Sequence, residues 1–241
     1  MRNENRNPKS VAIESKNLTK KFGSTVAIRD LNLKIEPARI SALFGPNGAG
    51  KTTLIRILST LTRPTSGRVL VDGLDMSSDG REIRSRIGVV LHDPLLYDDL
   101  SAAENLRFYC RMYGSPDSRI DELLSLFGLR HRRNDRVATL SSGMVKRLSL
   151  ARAMIHNPEI LILDEPFSGL DTDSTRKLMS LLDTLRNEGT TVVLATHHLD
   201  EGFPIGDRLL VLRKGKLVLD KKKRQITANE FKSTYGILTE A

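Results

Sequence analysis

The chain has 241 residues, of which 28% are charged and 39% are hydrophobic, a composition that excludes a disordered chain and fits one globular domain. No apolar run approaches the roughly 18 residues that a membrane-spanning helix needs. The formal net charge is +9, and the single cysteine, Cys110, excludes an internal disulfide and a cysteine-rich metal site and indicates a reducing cytoplasm.

The positive net charge is compatible with three kinds of partner: nucleic acid, an anionic membrane surface or the phosphates of a nucleotide. Tryptophan is absent and aromatic residues make up only 5% of the chain. A base-stacking surface for single-stranded nucleic acid is therefore poorly supported, and we predict no nucleic-acid partner.

The chain opens with a polar stretch, residues 1–10, which is predicted to be frayed and has no apolar segment that could serve as a secretion signal. Short strand-like pieces follow at residues 11–13, 26–28 and 31–35. A polar turn at Phe22 and Gly23 lies between the first two pieces. These segments predict short strands near the start of the chain.

A phosphate-binding loop is predicted between a buried strand at residues 40–44 and a helix that begins near residue 51. Lys51 would place its charge near the β- and γ-phosphates, and Thr52 could offer its hydroxyl to Mg²⁺. Backbone N–H groups at a helix start favour an anion. The loop fits the pattern G-x-x-x-x-G-K-[ST] and consists of Gly45, Pro46, Asn47, Gly48, Ala49, Gly50, Lys51, Thr52 and Thr53.

Two further strands, at residues 68–71 and 87–91, precede a block of about residues 93–157 that reads as helical. Ser101 and Glu104 have the spacing of a capping box, which predicts a helix start at this point. A second helix ends at Gly128, and a third runs from Ser142 to His156 after the N-cap residue Ser141. Before the first helix, an apolar run fits either a docking groove or the block's own core: Leu95, Leu96, Tyr97 and Leu100.

Strand–helix alternation then returns, which predicts a parallel sheet with helices on both faces. The strand at residues 160–163 ends in Asp164 and Glu165, at the sheet edge where ligands bind. Asp164 would hold Mg²⁺ beside Thr52, and Glu165 would act as general base toward a water molecule. His197 follows the next strand and would sense a γ-phosphate, although His198 competes for that role.

With these motifs in place, the chain resembles the ATP-binding subunits of ABC transporters over essentially its whole length. The phosphate loop, LSSGM, ILILDEP, Ser168–Asp171 and Thr196-His197 occur in the family's order and spacing. The resemblance implies an α/β P-loop NTPase fold with a RecA-like, mostly parallel sheet, an antiparallel β subdomain and a helical insertion. One domain over 10–238 is expected, with the β subdomain within about 10–75 and the helical subdomain at about 93–157.

The resemblance also implies that two ATP-binding subunits, here expected to be two copies of the chain, sandwich two ATP molecules with Mg²⁺ in a twofold arrangement. Ser141 and Gly143 of one subunit would contact the γ-phosphate held by the other, and Asp171 would lie at the dimer seam. Phe22 matches the aromatic residue that stacks on adenine, although a plain apolar turn residue is the alternative at this position.

Two departures from the family pattern stand out. Ser142 and Met144 replace the second glycine and the glutamine of LSGGQ, while Ser141 and Gly143 are kept. His92 stands where the family has the Q-loop glutamine. A neutral imidazole nitrogen can approach Mg²⁺ or water much as the amide oxygen of glutamine does, so His92 is predicted as a nucleotide and metal contact.

The implied function is ATP hydrolysis that powers an exporter from the cytoplasmic face of the membrane, together with a transmembrane permease. The sequence of His92 and the residues that follow it resembles that of the ATPase of the cytochrome c-maturation haem exporter. The ATPases of drug, lipid and sodium exporters share much of the same sequence. A different class, soluble ABC ATPases acting on the ribosome or DNA, resembles the chain less, because those need tandem cassettes or a long coiled coil. The basic run 221–224 could meet anionic headgroups but reads more readily as a solvated turn.

Overall fold

Two β-sheets organise residues 11–240, the part of the chain that the computed structural model describes; the predicted frayed stretch 1–10 lies outside it. The described residues hold ten strands, which in chain order are β1 (Ile13–Phe22), β2 (Thr25–Ile35), β3 (Ile40–Phe44), β4 (Ser66–Val71), β5 (Leu74–Asp75), β6 (Ile87–Val90), β7 (Ile160–Asp164), β8 (Thr191–Ala195), β9 (Arg208–Arg213) and β10 (Lys216–Lys222).

The smaller sheet is antiparallel, with strand order β2-β1-β4-β5. The larger sheet has the order β10-β9-β3-β8-β7-β6, and all of its strands are parallel except the edge strand β10. The predicted α/β fold class, with a mostly parallel sheet and a separate antiparallel sheet, is therefore confirmed.

Helices connect and cover these strands. In chain order they are α1 (Lys51–Leu58), α2 (Gly80–Arg86), α3 (Ala102–Tyr113), α4 (Ser118–Leu126), α5 (Ser142–Ala153), α6 (Thr172–Asn187), α7 (Leu199–Ile205) and α8 (Ala228–Glu240). Single 3₁₀ turns occur at Arg130–Arg132, Val137–Thr139 and Lys223–Gln225. Over the described residues, none of these helices has the length and apolar composition that crossing a bilayer requires.

The apolar run of β3 is buried along its whole length because the large sheet has a core on each face. Ala42 belongs to one cluster of buried side chains and Leu43 to the other. Successive residues of a strand point to opposite faces, so a strand covered on both sides is mostly apolar, and the one polar residue of β3, Ser41, is buried as well. The predicted two-faced parallel sheet is confirmed by this division of the core.

Local signals located α3 correctly. Ser101 accepts a hydrogen bond from the backbone N–H of Glu104, whose carboxylate accepts one from the backbone N–H of Ser101, so the predicted capping box is present. Gly114 ends the helix in the left-handed conformation, with φ of 68°. Polar side chains thus satisfy the free backbone groups at its start, and a glycine accepts the unusual backbone at its end.

Three helices lie where the sequence pattern predicted none. In α2 only Ile83 is buried, and α7 contains Pro204, so neither helix presents a repeating apolar stripe. α8 covers the large sheet, where the ring of Phe231 meets that of Phe44 with centroids 5.0 Å apart. α5 ends at Ala153 instead of His156, the end that the apolar pattern predicted.

His156 sits just beyond α5, with its ring stacked on Tyr113 at a centroid distance of 4.0 Å and its Nε2 3.1 Å from the backbone oxygen of Ile87. Burial lowers the pKa of this imidazole from its usual 6.5 to about 4. Between those two pH values the unfolded chain binds a proton that the folded chain does not. The free energy of unfolding should therefore fall as the pH falls through this window, by up to about 3 kcal/mol.

Denaturant unfolding at pH 7 and at pH 4.5 measures this loss. In His156→Gln, which has no titrating ring, we expect the part of the acid loss due to this residue to disappear. His131→Gln is the matched control, because His131 is exposed on the surface. An acid loss that is the same in His156→Gln as in the parent protein would contradict the assignment.

Candidate functional site

The phosphate-loop segment joins the carboxyl end of β3 to α1, and its shape depends on Gly50. This residue precedes α1 with φ of 105°, a left-handed conformation that favours glycine. A Cβ at this position would lie 2.5 Å from the backbone oxygen of Ala27. The tight packing against β2 explains why the position needs glycine, and it fixes the direction of the helix start.

Lys51 is buried at the first position of α1, with 6% of its surface exposed. Its Nζ donates hydrogen bonds to the backbone oxygens of Gly45 at 2.6 Å and of Pro46 at 3.3 Å. Burial lowers the pKa of the ammonium, while the charges of Glu165 and Asp164 oppose that effect. The cation thus lies inside the loop and faces the carboxylates at the end of β7.

Asp164 is the last residue of β7 and has only 2% of its surface exposed. Burial raises the pKa of this carboxyl, although a hydrogen bond with the Thr52 side chain works in the opposite direction. Its Oδ1 is buried and has no hydrogen-bond partner. The structure therefore brings together Thr52 and Asp164, two of the three predicted magnesium ligands, and leaves one carboxylate oxygen available.

Hydroxyl and carboxylate oxygens are the ligand types that Mg²⁺ prefers. Among the described residues, no three histidine, cysteine or acidic side chains group closely enough to hold a metal ion by themselves. A magnesium ion at Thr52 and Asp164 would thus need further oxygens from a bound nucleotide or from water. The chemistry of the two residues fits this arrangement.

Glu165 follows β7 in a left-handed conformation with φ of 47°, which is uncommon for a residue other than glycine. Its backbone N–H donates to the oxygen of Ala195 at 2.9 Å. This bond joins the backbone of Glu165 to the end of β8. One carboxylate oxygen, Oε1, lies 2.8 Å from Nδ1 of His197, whereas the other, Oε2, is buried without a partner.

This contact distinguishes the two histidines that follow β8. His197 reaches Glu165, while the backbone N–H of His198 bonds the hydroxyl of Thr196 at 3.1 Å. The two imidazole rings lie 3.9 Å apart in a tilted arrangement. Of the two candidates, His197 is the one that the geometry places against the predicted general base.

Of the residues expected to face a second subunit, Ser141 and Asp171 are exposed at the starts of two helices, and Gly143 is half-buried. Ser141 caps α5 by accepting from the backbone N–H of Met144 at 3.3 Å. Asp171 caps α6 by accepting from the N–H of Ser174 at 2.7 Å, a bond that lowers the pKa of its carboxyl. Gly143 packs near Gly169, where a Cβ would come within 3.3 Å of the backbone oxygen.

Two other predicted residues lie at the rim. Phe22 ends β1 with 53% of its surface exposed, and the ammonium of Lys20 lies 4.8 Å from the ring centroid. His92 is exposed and lies two residues beyond β6. Val90 of β6 pairs with Leu163 of β7, so His92 extends from the same sheet edge as Asp164.

The structure adds a residue to this site that sequence reasoning missed. Lys146 on α5 points its Nζ toward the backbone oxygen of Asp164, at 3.5 Å. Burial lowers the pKa of this ammonium, and the charges of Asp164 and Glu165 oppose the effect. Only its place two residues after LSSGM could have drawn attention to it, because a lysine within a helix is ordinarily a surface residue.

In the apolar run before α3, some residues pack into the core and others are exposed, so both alternatives left open by the sequence, a core segment and a docking groove, apply in part. Leu96 packs on the core, whereas Tyr97 is 50% exposed and its ring meets the edge of Phe108 at 5.2 Å. Beside them lies a groove of about 690 Å³ lined by residues that include Phe108, Arg111 and Met112. This surface is mixed, with an apolar floor and charged side chains around it.

Comparison with known proteins gives consistent matches. The profile of the family described as "ABC transporter" matches residues 28–168. The chain is 35% identical over 222 residues to the Nod factor export ATP-binding protein I of Cupriavidus metallidurans, covering 90% of this chain and 73% of that protein. It is 38% identical over 213 residues to the phospholipid-transporting ATPase ABCA3 of Homo sapiens, covering 85% of this chain but only 12% of that protein's length.

Among solved structures, the chain resembles the dimeric ATP-binding cassette MJ0796 in a post-hydrolysis state bound to ADP and phosphate. The TM-score is 0.82 at 31% identity, over 88% of this chain and 99% of that one. The family profile covers the phosphate loop, the LSSGM segment and Asp164-Glu165, but it ends before Asp171 and His197. The geometry around Glu165 therefore supplies independent support for His197.

Proposed function

Because the chain belongs to the ABC transporter family, we propose that it is the ATP-binding subunit that powers a membrane exporter. Proteins of this family bind ATP and hydrolyse it to ADP and phosphate, and the chain is such an ATPase. Export as the direction of transport is supported by a relative whose name states export. The choice of the transported substrate would lie with the permease partner.

One observation carries the proposal: the groups needed to bind and cleave a triphosphate meet at the carboxyl ends of the strands of the large sheet. Lys51 begins α1, Asp164 and Glu165 end β7, and His197 follows β8. Because β3, β8 and β7 are neighbouring parallel strands, their carboxyl ends open onto the same crevice. A triphosphate laid along the loop would have its last phosphate near the carboxylate pair.

Binding begins with the loop. The backbone N–H groups before and within the first turn of α1 would donate to phosphate oxygens, and the helix dipole favours their negative charge. Lys51, which now donates to the backbone oxygens of Gly45 and Pro46, would exchange those bonds for the β- and γ-phosphates. Phe22 would offer its exposed ring to the adenine.

Thr52 and Asp164 would hold the magnesium ion that accompanies the nucleotide, with His92 as a further proposed contact from the adjoining strand end. When bound, this ion would neutralise charge on the phosphates and polarise them toward attack. The unpartnered Oδ1 of Asp164 is the observation in this chain that supports the assignment.

Hydrolysis would then use Glu165. Its carboxylate would take the proton from the attacking water as the water oxygen bonds to the γ-phosphorus, and the bond to the β-phosphate oxygen breaks. The hydrogen bond from His197 fixes Oε1, so that Oε2 would be directed at the water. The backbone bond to Ala195 limits movement of the base relative to β8.

A second copy of the chain would complete each site. Ser141 and Gly143 lie at the exposed start of α5, where free N–H groups suit a phosphate, and Asp171 would lie at the seam. In a twofold pair each copy would place this surface on the ATP held by the other. ATP would draw the two copies together, and product release would let them part, a cycle that would move the permease.

Cysteine cross-linking tests this pairing. In a double variant with Asn47→Cys and Ser142→Cys, both at exposed positions, we expect disulfide-linked dimers when ATP is present and hydrolysis is blocked. The native Cys110 is fully buried and should not react. Pairing Asn47→Cys with Lys232→Cys is the matched control, since Lys232 is exposed on α8. Equal cross-linking in both double variants, or none in either, would contradict the proposed sandwich.

The permease would dock beside α3, at the groove that the exposed Phe108 and Met112 help to line. Docking there would place the chain at the cytoplasmic face of the membrane as a peripheral subunit. Apolar side chains surrounded by charge suit a short amphipathic segment of a partner. Retention of the chain on vesicles that carry the permease, and loss of that retention in Met112→Asp, would support this surface.

Haem export is a narrower candidate, supported only by His92 and the sequence of the residues that follow it. Deleting the gene and measuring c-type cytochromes would test it, because other exporters would leave those cytochromes unchanged. The competing class, ATPases that act on the ribosome or DNA, predicts binding to nucleic acid at moderate salt. Retention of the chain by nucleic acid at such salt would favour that class over a transporter subunit.

A further inference from the structure

A second cleft opens at the opposite end of the large sheet, where β3 and β9 begin. Ser41 pairs with Arg208 at this end, and Phe44 pairs with Val211 at the end that carries the phosphate loop. The two ends of β3 are roughly 13 Å apart. The cleft has a volume of about 610 Å³, and we call it the amino-end cleft; its basic lining residues are Arg39, Arg208, Lys222, Lys223 and Arg224.

Two of these five cations are already paired. Arg208 donates from its Nε to the carboxylate of Asp220 at 2.6 Å, and Lys222 lies 2.9 Å from the carboxylate of Glu36. These ion pairs hold the ends of β9 and β10 in place. They stabilise the walls of the cleft and occupy the carboxylate of Glu36, which also feels the charge of Arg39 at longer range.

The other acidic residue of the cleft, Asp207, is used elsewhere: it accepts from the backbone N–H of Ile40 at 2.9 Å and lies 3.3 Å from Arg186. Among residues 11–240, no carboxylate forms an ion pair with Arg39, Lys223 or Arg224. Lys223 donates to a backbone oxygen and lies 5.5 Å from the ring centroid of Phe203. Three basic side chains without an ion-pair partner among the described residues therefore line one concave surface.

The cleft also contains a buried polar group that lacks a partner. Ser41 lines it with 1% of its surface exposed, and its Oγ has no hydrogen bond. Leaving a buried hydroxyl unpaired costs free energy, so native structures usually supply a partner. A ligand oxygen, or a water that a ligand holds at the base of the cleft, would provide one.

We propose that the amino-end cleft is a second binding site, for a soluble small molecule that carries two or more phosphate groups. Its volume lies within the range of about 300–1,000 Å³ that small-molecule sites have. Guanidinium groups such as those of Arg39 and Arg224 suit phosphate because they donate two parallel hydrogen bonds. The basic run 221–224, which the sequence favours as a solvated turn, thereby acquires a role.

Amide chemical shifts in the nucleotide-free protein, titrated with inorganic pyrophosphate, test this proposal residue by residue. We expect shifts at residues 39–41 and 222–224, separate from any shifts at residues 45–53. In the double variant Arg39→Ala and Arg224→Ala, affinity at the cleft should fall at least about tenfold, whereas shifts in the phosphate loop should stay. Because the two sets of residues are read separately, binding at the cleft can be detected whether or not pyrophosphate also binds at the nucleotide site.

Lys216→Ala with Lys232→Ala is the matched control, since it removes the same charge from exposed positions outside the cleft. If the control lost as much affinity, general attraction of anions would explain the shifts and the proposal would fail. Absence of shifts in the cleft of the parent protein would also overturn it. Vesicles containing phosphatidylglycerol form the last arm: binding to them through Arg39 and Arg224, without a response to pyrophosphate, would replace the soluble ligand by a lipid headgroup.

Discussion

Glu165→Gln should lower the kcat of ATP hydrolysis about 100-fold or more while ATP still binds, because the amide keeps the size of the side chain but cannot take a proton. A 100-fold loss corresponds to about 3 kcal/mol of transition-state stabilisation. Removing a negative charge beside the γ-phosphate should also favour the nucleotide-bound state. The variant should therefore accumulate as an ATP-bound dimer, which size-exclusion chromatography with and without ATP would detect.

The matched comparison is His92→Gln, which restores the residue that the family has at this position. If His92 contacts magnesium or water as proposed, the amide oxygen of glutamine can take its place, and turnover should stay within a few-fold of the parent rate. Hydrolysis at the parent rate in Glu165→Gln would remove Glu165 as the base. In that case the contact with His197 would serve only to hold the end of β8 against β7.

Lys51→Ala should strongly weaken the binding of ATP and its hydrolysis. A charge-assisted hydrogen bond to phosphate contributes about 1.5–3 kcal/mol, so affinity for ATP should fall roughly 10- to 100-fold. The rate on any ATP that remains bound should fall as well, since Lys51 would stabilise charge that develops on the transferred phosphate. Titration with a fluorescent ATP analogue and steady-state hydrolysis measure the two effects separately.

Thermal unfolding distinguishes this loss from misfolding. Burial lowers the pKa of Lys51, which shows that the fold bears a cost for the charged ammonium, so Lys51→Ala should not unfold at a markedly lower temperature without nucleotide. ATP should raise the midpoint of the parent protein but not that of the variant, because only a ligand that binds the folded state stabilises it. Hydrolysis as fast as in the parent protein would contradict the assignment of the loop.

Local features of the sequence were sufficient wherever the physical cause is itself local. The capping box of Ser101 and Glu104 begins α3 as predicted, since both hydrogen bonds join residues three apart. Mostly apolar runs likewise located β3, β7 and β8, because strands covered on both faces are buried along their whole length.

Where the local pattern was weak, the prediction stopped short. α2 buries a single apolar side chain, and α7 contains a proline, so packing against the sheet decides these helices more than their own sequence does. α8 depends on a distant contact, that of Phe231 with Phe44. Such a contact cannot be seen in a window of ten or fifteen residues.

The same division applies to the functional groups. By itself, the sequence determined the residue types that hold phosphate and the strand ends on which Asp164 and Glu165 lie. Loop conformation and strand burial depend on residues that are close together in the sequence, so short segments were enough to predict them. Only the tertiary structure decided that His197 and not His198 meets Glu165, that Lys146 reaches the end of β7, and that Arg39 and Arg224 line one cleft. These are encounters between side chains far apart in the chain, and their distances depend on how the sheet and its helices pack together.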